Sequence, residues 1–153
     1  MKITRFEDLQ CWQEARKLVN MVYEAIKRSP EFQKDYRLVG QITDASVSSM
    51  GNIAEGFSRR SDKEFTQFLF VSKSSATEVQ SEGYVALDQK YISQDEFEKI
   101  YDQAEKVSRM NSGLITYLLQ NEKKTRKLKK LNRPNEHNKP KRLGSLSKPD
   151  RLE

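Results

Sequence analysis

The 153 residues contain only one cysteine and one histidine. His137 falls in a proline- and lysine-bearing C-terminal stretch that supplies nothing to orient it, and Cys11 has no histidine among the first 121 residues to activate it. A lone cysteine excludes an intramolecular disulfide and fits a reducing compartment. Also lacking are a glycine-rich loop to cradle phosphate and a Glu-x-x-His pair for a carboxylate-bound metal. No apolar run approaches the roughly 20 residues needed to cross a bilayer. The charged, polar N-terminus does not read as a secretory signal, and no stretch alternates like a strand. These absences predict a cytoplasmic, non-enzymatic protein without cofactor or metal.

What is present is charge, unevenly placed. Charged residues make up 33% of the chain against 35% hydrophobic, the balance of helices with solvated outer faces. Residues 1–121 carry sixteen Lys and Arg against eighteen Asp and Glu, a net charge of −2. Residues 122–153 carry twelve against four, a net charge of +8. A near-neutral body therefore bears a basic tail, and the asymmetry points to a polyanion or an acidic partner for that tail.

The body reads as four helices with helical spacing of apolar residues. The first spans about Phe6 to Ser29, capped by Thr4 with Glu7 or by Asp8, with Leu9, Trp12, Val19, Val22, Tyr23 and Ile26 as its stripe. Ser29-Pro30-Glu31 is a break and restart, with Ser as cap and Pro at the first helical position. The second helix carries Leu38, Val39, Ile42, Ala45, Ser49, Ile53 and Phe57. The small residues Ala45, Ser46, Ser48, Ser49 and Gly51 would let a neighbour approach closely. Ser61 and Glu64 form a capping box for the third helix, whose stripe of Phe65, Phe68, Leu69, Ser72, Ala76, Val79 and Ala86 is interrupted by Gly83. Lys90-Tyr91-Ile92 turns the chain, and Ser93 with Glu96 caps the fourth helix, which carries Phe97, Ile100, Tyr101, Ala104, Val107, Leu114, Ile115, Leu118 and Leu119. Asn111 lies on that stripe, where a buried Asn could fix register against a polar partner, but it reads rather as a boundary position.

Asn52 to Phe65 is the hinge of the chain. Gly56 loosens a helix end, Arg59 and Arg60 complement its dipole, and the short reversal makes the flanking helices antiparallel. The expected fold is all-α: an antiparallel up-down-up-down four-helix bundle over residues 1–121, followed by a basic tail over 122–153. The tail extends the last helix to about Leu131 and is expected to be disordered from Asn132 onward.

Phe6-x-Asp8-Leu9-x-x-Trp12-Gln13, Gln41, Asn52-Ile-Ala-Glu-Gly56, Arg59-Arg60-Ser61 and Glu64-Phe65-x-x-Phe68-Leu69 together resemble the bacterial four-helix-bundle proteins of the 23S rRNA intervening-sequence type, over roughly Ile3 to Asn121. That family is similar in fold to the accessory variability determinant of diversity-generating retroelements. The resemblance implies a non-enzymatic homo-oligomer, a homopentamer, that binds nucleic acid beside a reverse transcriptase. The chain departs from the pattern at Lys73-Ser74-Ser75, where the family commonly has a Gly-Ser pair, and the basic tail lies outside the resemblance.

Candidate nucleic-acid-binding residues are Arg59, Arg60 and Lys63 at the hinge and Lys123, Lys124, Arg126, Lys127, Lys129 and Lys130 in the tail. Cations in this density would neutralise phosphates and release counterions, giving salt-sensitive affinity. No aromatic is interleaved among the tail cations for base stacking, so phosphate contact to RNA or DNA is expected there rather than base readout. The alternatives are a hinge whose Asn52, Glu55 and arginines only satisfy a helix end, and a tail that only solubilises or docks on an acidic protein. Phe70, Tyr84, Tyr101 and Tyr117 lie partly off the stripes, as a subunit interface or as a broadened core.

Overall fold

The computed structural model describes residues 3–131, so His137 and the tail from Asn132 onward lie outside the described residues. Within them every regular element is helical. A 3-10 turn at Phe6–Asp8 precedes α1 (Gln10–Arg28), the short α2 (Pro30–Lys34), α3 (Tyr36–Phe57), α4 (Asp62–Asp88) and α5 (Gln94–Leu131). Four long helices were expected, and the structure adds a fifth, short one.

Local chemistry explains the additions. The chain before α1 does not enter the helix at Phe6. Asp8 turns back to accept from the backbone amides of Thr4 and Arg5, both at 3.3 Å, which closes a separate turn. Ser29 caps α2 as expected, its hydroxyl accepting from the Phe32 amide at 3.2 Å. That helix lasts five residues, because Asp35 caps a new start by accepting from the Leu38 amide at 3.1 Å. Asp is as good an N-cap as Ser, so each starts its own helix. Between them Phe32 is 1% exposed and stacks on Tyr91, pinning α2 to the turn after α4. Lys90 in that turn takes a left-handed conformation, φ 61°, and the Tyr91 amide donates back to the Ala86 carbonyl, the closure that ends a helix with a left-handed residue.

The long helices pack in the cyclic order α1–α3–α4–α5, each against two neighbours. Paired residues show the directions. Ser48 meets Ser75 and Ser49 meets Ser72 across α3 and α4, Gln80 meets Tyr101 and Ser72 meets Asn111 across α4 and α5, and Glu14 meets Gln103 and Arg28 meets Glu96 across α1 and α5. In each pair sequence position rises on one helix as it falls on the other, so neighbours are antiparallel.

The small residues of α3 do what their size allows. Ser46 and Ser49 are fully buried, as are Ser72 and Ala76 opposite on α4. Close packing survives at Lys73-Ser74-Ser75, where Ser75 is buried against Ser48 at 2.9 Å. On α1 the buried stripe is Cys11, Ala15, Leu18, Val22, Ala25 and Ile26, whereas Tyr23 is exposed and Trp12 half-buried. Ala15 and Leu18 escaped the sequence pattern because small or isolated apolar residues add little to a periodic signal.

Two expectations are corrected. Asn111 is 0% exposed rather than a boundary residue; its Nδ2 donates to Ser72 Oγ at 2.8 Å, and Ser72 Oγ donates to the Ser49 carbonyl at 2.6 Å. Gly56 does not loosen the end of α3. A Cβ there would lie 2.7 Å from Phe68 Cβ and from the Phe65 ring, so its missing side chain lets the start of α4 close onto α3.

Candidate nucleic-acid interface

The antiparallel order brings the two predicted cationic groups to one end of the molecule. Ile53, Leu69, Ile115 and Leu118 share one buried cluster with Phe57 and Phe65 packed against it. The α3–α4 turn and the C-terminal half of α5 therefore meet there. Leu118 is the last buried residue of α5, and the helix continues thirteen residues beyond it to Leu131, an overhang of about 20 Å at 1.5 Å per residue.

Each cation in this region has a distinct setting. Arg59 pairs with Glu55 one turn back, and its guanidinium lies over the Phe68 ring, 4.7 Å from the centroid. It is thus held by its own hinge. Arg60 and Lys63 are exposed and form no ion pair among the described residues. On the overhang Arg126 pairs with Glu122 at 2.6 Å, while Lys123, Lys124, Lys127, Lys129 and Lys130 are exposed. At 3.6 residues per turn, Lys123, Arg126, Lys127 and Lys130 fall on one stripe. Like charges at this spacing each cost about 0.2–0.5 kcal/mol of helix stability, and an anion laid along the stripe relieves them. Leu128 and Leu131, 59% and 70% exposed, lie to the other side with Lys124.

The predicted aromatics do not form one patch. Tyr84 and Tyr101 pack together, ring centroids 6.1 Å apart, and both contact Phe97. Tyr101 is half-buried there, and Tyr84 is 51% exposed. Phe70 lies fourteen residues, about 21 Å, along α4 from Tyr84, and Tyr117 about 24 Å along α5 from Tyr101. Both are exposed.

The titratable groups of the body are mostly tied into structure. The Glu14 carboxylate is held down to about 2 by hydrogen bonds from Lys17 and Gln103 and by Lys106, and it ties α1 to α5. Burial pushes the Cys11 thiol up to about 11, so it stays protonated at neutral pH. No group of three or more metal-binding side chains is found among the described residues. No described helix is long and apolar enough to cross a membrane.

One cluster passed unnoticed in the sequence. Asp44 on α3 and Glu78 and Glu82 on α4 line a groove of about 440 Å³ on the outer α3–α4 face. Burial, then the charges of Glu78 and Asp44, push Glu82 up to about 7, and its Oε2 is buried without a hydrogen-bond partner among the described residues. Glu78 and Glu82, four apart on the stripe that also carries Val71 and Val85, were the available signal.

The family model described as 23S rRNA-intervening sequence protein matches residues 7–113, and the chain belongs to that family. A crystal structure of a protein of unknown function from the S23 ribosomal protein family of Bacteroides thetaiotaomicron VPI-5482 superposes with a TM-score of 0.64 at 18% identity. That likeness covers 69% of this chain and 97% of the other, and at such identity it concerns the fold. No curated protein matches this chain.

Proposed function

We propose that this chain is a non-enzymatic RNA-binding accessory protein that works as a homo-oligomer. The observation that carries the reading is the α5 overhang: a helix that leaves the body with four cations on one stripe and no packing partner among the described residues. Backbone phosphates of RNA or DNA are the ligand that such a stripe suits, through counterion release rather than base readout. Arg60 and Lys63 at the same end extend the positive surface, with Arg59 anchored behind them. Several copies in one ring would add avidity to weak contacts. In line with the family resemblance, the ring is a homopentamer and its protein partner a reverse transcriptase of a diversity-generating retroelement.

The test replaces Lys123, Lys124, Arg126, Lys127, Lys129 and Lys130 by Gln in the full chain and follows binding to a structured RNA by fluorescence anisotropy across salt. Affinity should vanish at moderate salt while circular dichroism keeps its helical signal. Unchanged affinity would remove the overhang from the mechanism.

A second reading is a protein-interaction scaffold that never holds nucleic acid. Leu128 and Leu131 favour it, since phosphate binding has no use for exposed leucines on the same helix. Salt-resistant capture of one protein, with RNA retained only at low salt, would decide for it.

A further inference from the structure

We propose that the α5 overhang of one copy docks, by the face bearing Lys124, Lys127, Leu128 and Leu131, into the acidic α3–α4 groove of a second copy. The helix α3 presents Tyr36, Gly40, Asp44, Val47 and Gly51 at three- and four-residue spacing on one face. Tyr36 is 82% and Val47 41% exposed, and nothing lies within 4 Å of where a Cβ on Gly40 or Gly51 would sit. On α4 the adjoining stripe is Val71, Glu78, Glu82 and Val85, with both valines more than two-fifths exposed. An unpartnered face with open glycines and exposed valines accepts a helix closely. Its three carboxylates select a basic one.

The overhang is the complement. On a helical projection Lys124, Lys127, Leu128 and Leu131 share an arc of about 100°, two cations and two apolar residues against carboxylates and valines. Lys124 and Lys127 lie one turn apart, as do Glu78 and Glu82. With the lysines over those acids, Leu128 and Leu131 fall along the valine stripe. The contact is intermolecular, because α5 is one continuous helix pointing away from the body while the groove lies midway along α3 and α4. Donor and acceptor are different surfaces, so the contact is head-to-tail and either closes a ring or propagates. Lys123, Arg126 and Lys130 stay outward and Lys127 lies on the edge the two faces share, so docking leaves three of the four stripe cations free for phosphate, and this inference stands without the RNA reading.

The experiment is sedimentation velocity over a concentration series on nuclease-treated full-length protein. Three samples are compared: wild type, a groove variant (Asp44→Lys, Glu78→Lys) and an overhang variant (Lys124→Glu, Lys127→Glu). All four positions are exposed, so each variant should keep the helical circular dichroism of wild type. Wild type should associate and each variant alone should associate at least tenfold more weakly. An equimolar mixture of the two should recover association, since the reversed charges match again. Leu128→Asp with Leu131→Asp should weaken wild type without being rescued by the groove variant. A wild type that stays monomeric throughout, variants that associate like wild type, or a mixture without recovery would each overturn the proposal. Association that survives these tests alongside absent RNA binding would leave this inference standing and sink only the RNA reading.

Discussion

Asn111 donates through Nδ2 to the Ser72 hydroxyl at 2.8 Å, with both residues fully buried between α5 and α4. The Ser72 hydroxyl donates in turn to the Ser49 carbonyl on α3, so one short chain of hydrogen bonds ties three helices at one level. Asn111 Oδ1 has no partner among the described residues, which leaves Ser72 as the residue that makes a buried amide tolerable.

Ser72→Ala should therefore cost about 1–3 kcal/mol, the price of a buried donor left unmade. Adding Asn111→Leu should recover most of that loss, because an apolar pair needs no partner. Urea denaturation of the two single variants and the double variant, read as a mutant cycle, gives the coupling. Additive losses would mean that the two residues do not act together.

Gly56→Ala and Gly113→Ala should have opposite signs. Helix propensity favours alanine by up to about 1 kcal/mol at both sites. At Gly113 nothing lies within 4 Å of the added Cβ, so the gain should appear in full. At Gly56 the Cβ would sit 2.7 Å from Phe68 Cβ, an atom that rotamer change cannot move, and overpacking of about 1–3 kcal/mol should win. Thermal melts of the two variants settle the signs.

Glu82 should make the protein less stable as pH rises through 7. Its folded value, about 7, lies above that of an ordinary unfolded carboxylate, so the folded state prefers the proton. The contribution is complete below about pH 4.3 and is lost as the group ionises against burial, Glu78 and Asp44. Glu82→Gln should change little at pH 4 and gain roughly 1 kcal/mol at pH 8. Equal melting shifts at both pH values would show that Glu82 does not titrate in this range.

Glu14 has the opposite sign. With its folded value near 2, its contribution is present above the ordinary carboxylate range and is lost as pH falls toward 2. Glu14→Gln should destabilise at pH 7 and match wild type near pH 2. Removing the exposed Lys99–Asp95 pair should move stability by less than about 0.5 kcal/mol at any pH. Denaturation midpoints from pH 2 to 7 check both.

Much of the fold was legible because its signals are local. Ser29, Ser61 and Ser93 announced helix starts, and each hydroxyl accepts from the backbone amide three residues on. Asp35 was equally legible and went unread, because Pro30 made the start at Ser29 look sufficient for the whole helix through Phe57. The cationic residues of the candidate interface could be found by counting charge. Their division into a phosphate-facing stripe and a leucine-bearing face required knowing that the helix runs unbroken to Leu131.

By itself, the sequence determined the helices, their caps and the separation of a near-neutral body from a basic extension. Caps and charge depend on neighbours within a turn or two of the chain. Only the tertiary structure decided that Asn111 is buried, that Gly56 is a contact point, and that Asp44, Glu78 and Glu82 share a groove. Each of these depends on which helix lies opposite and at what level, and residues 9–39 positions apart in the chain meet only when the helices pack.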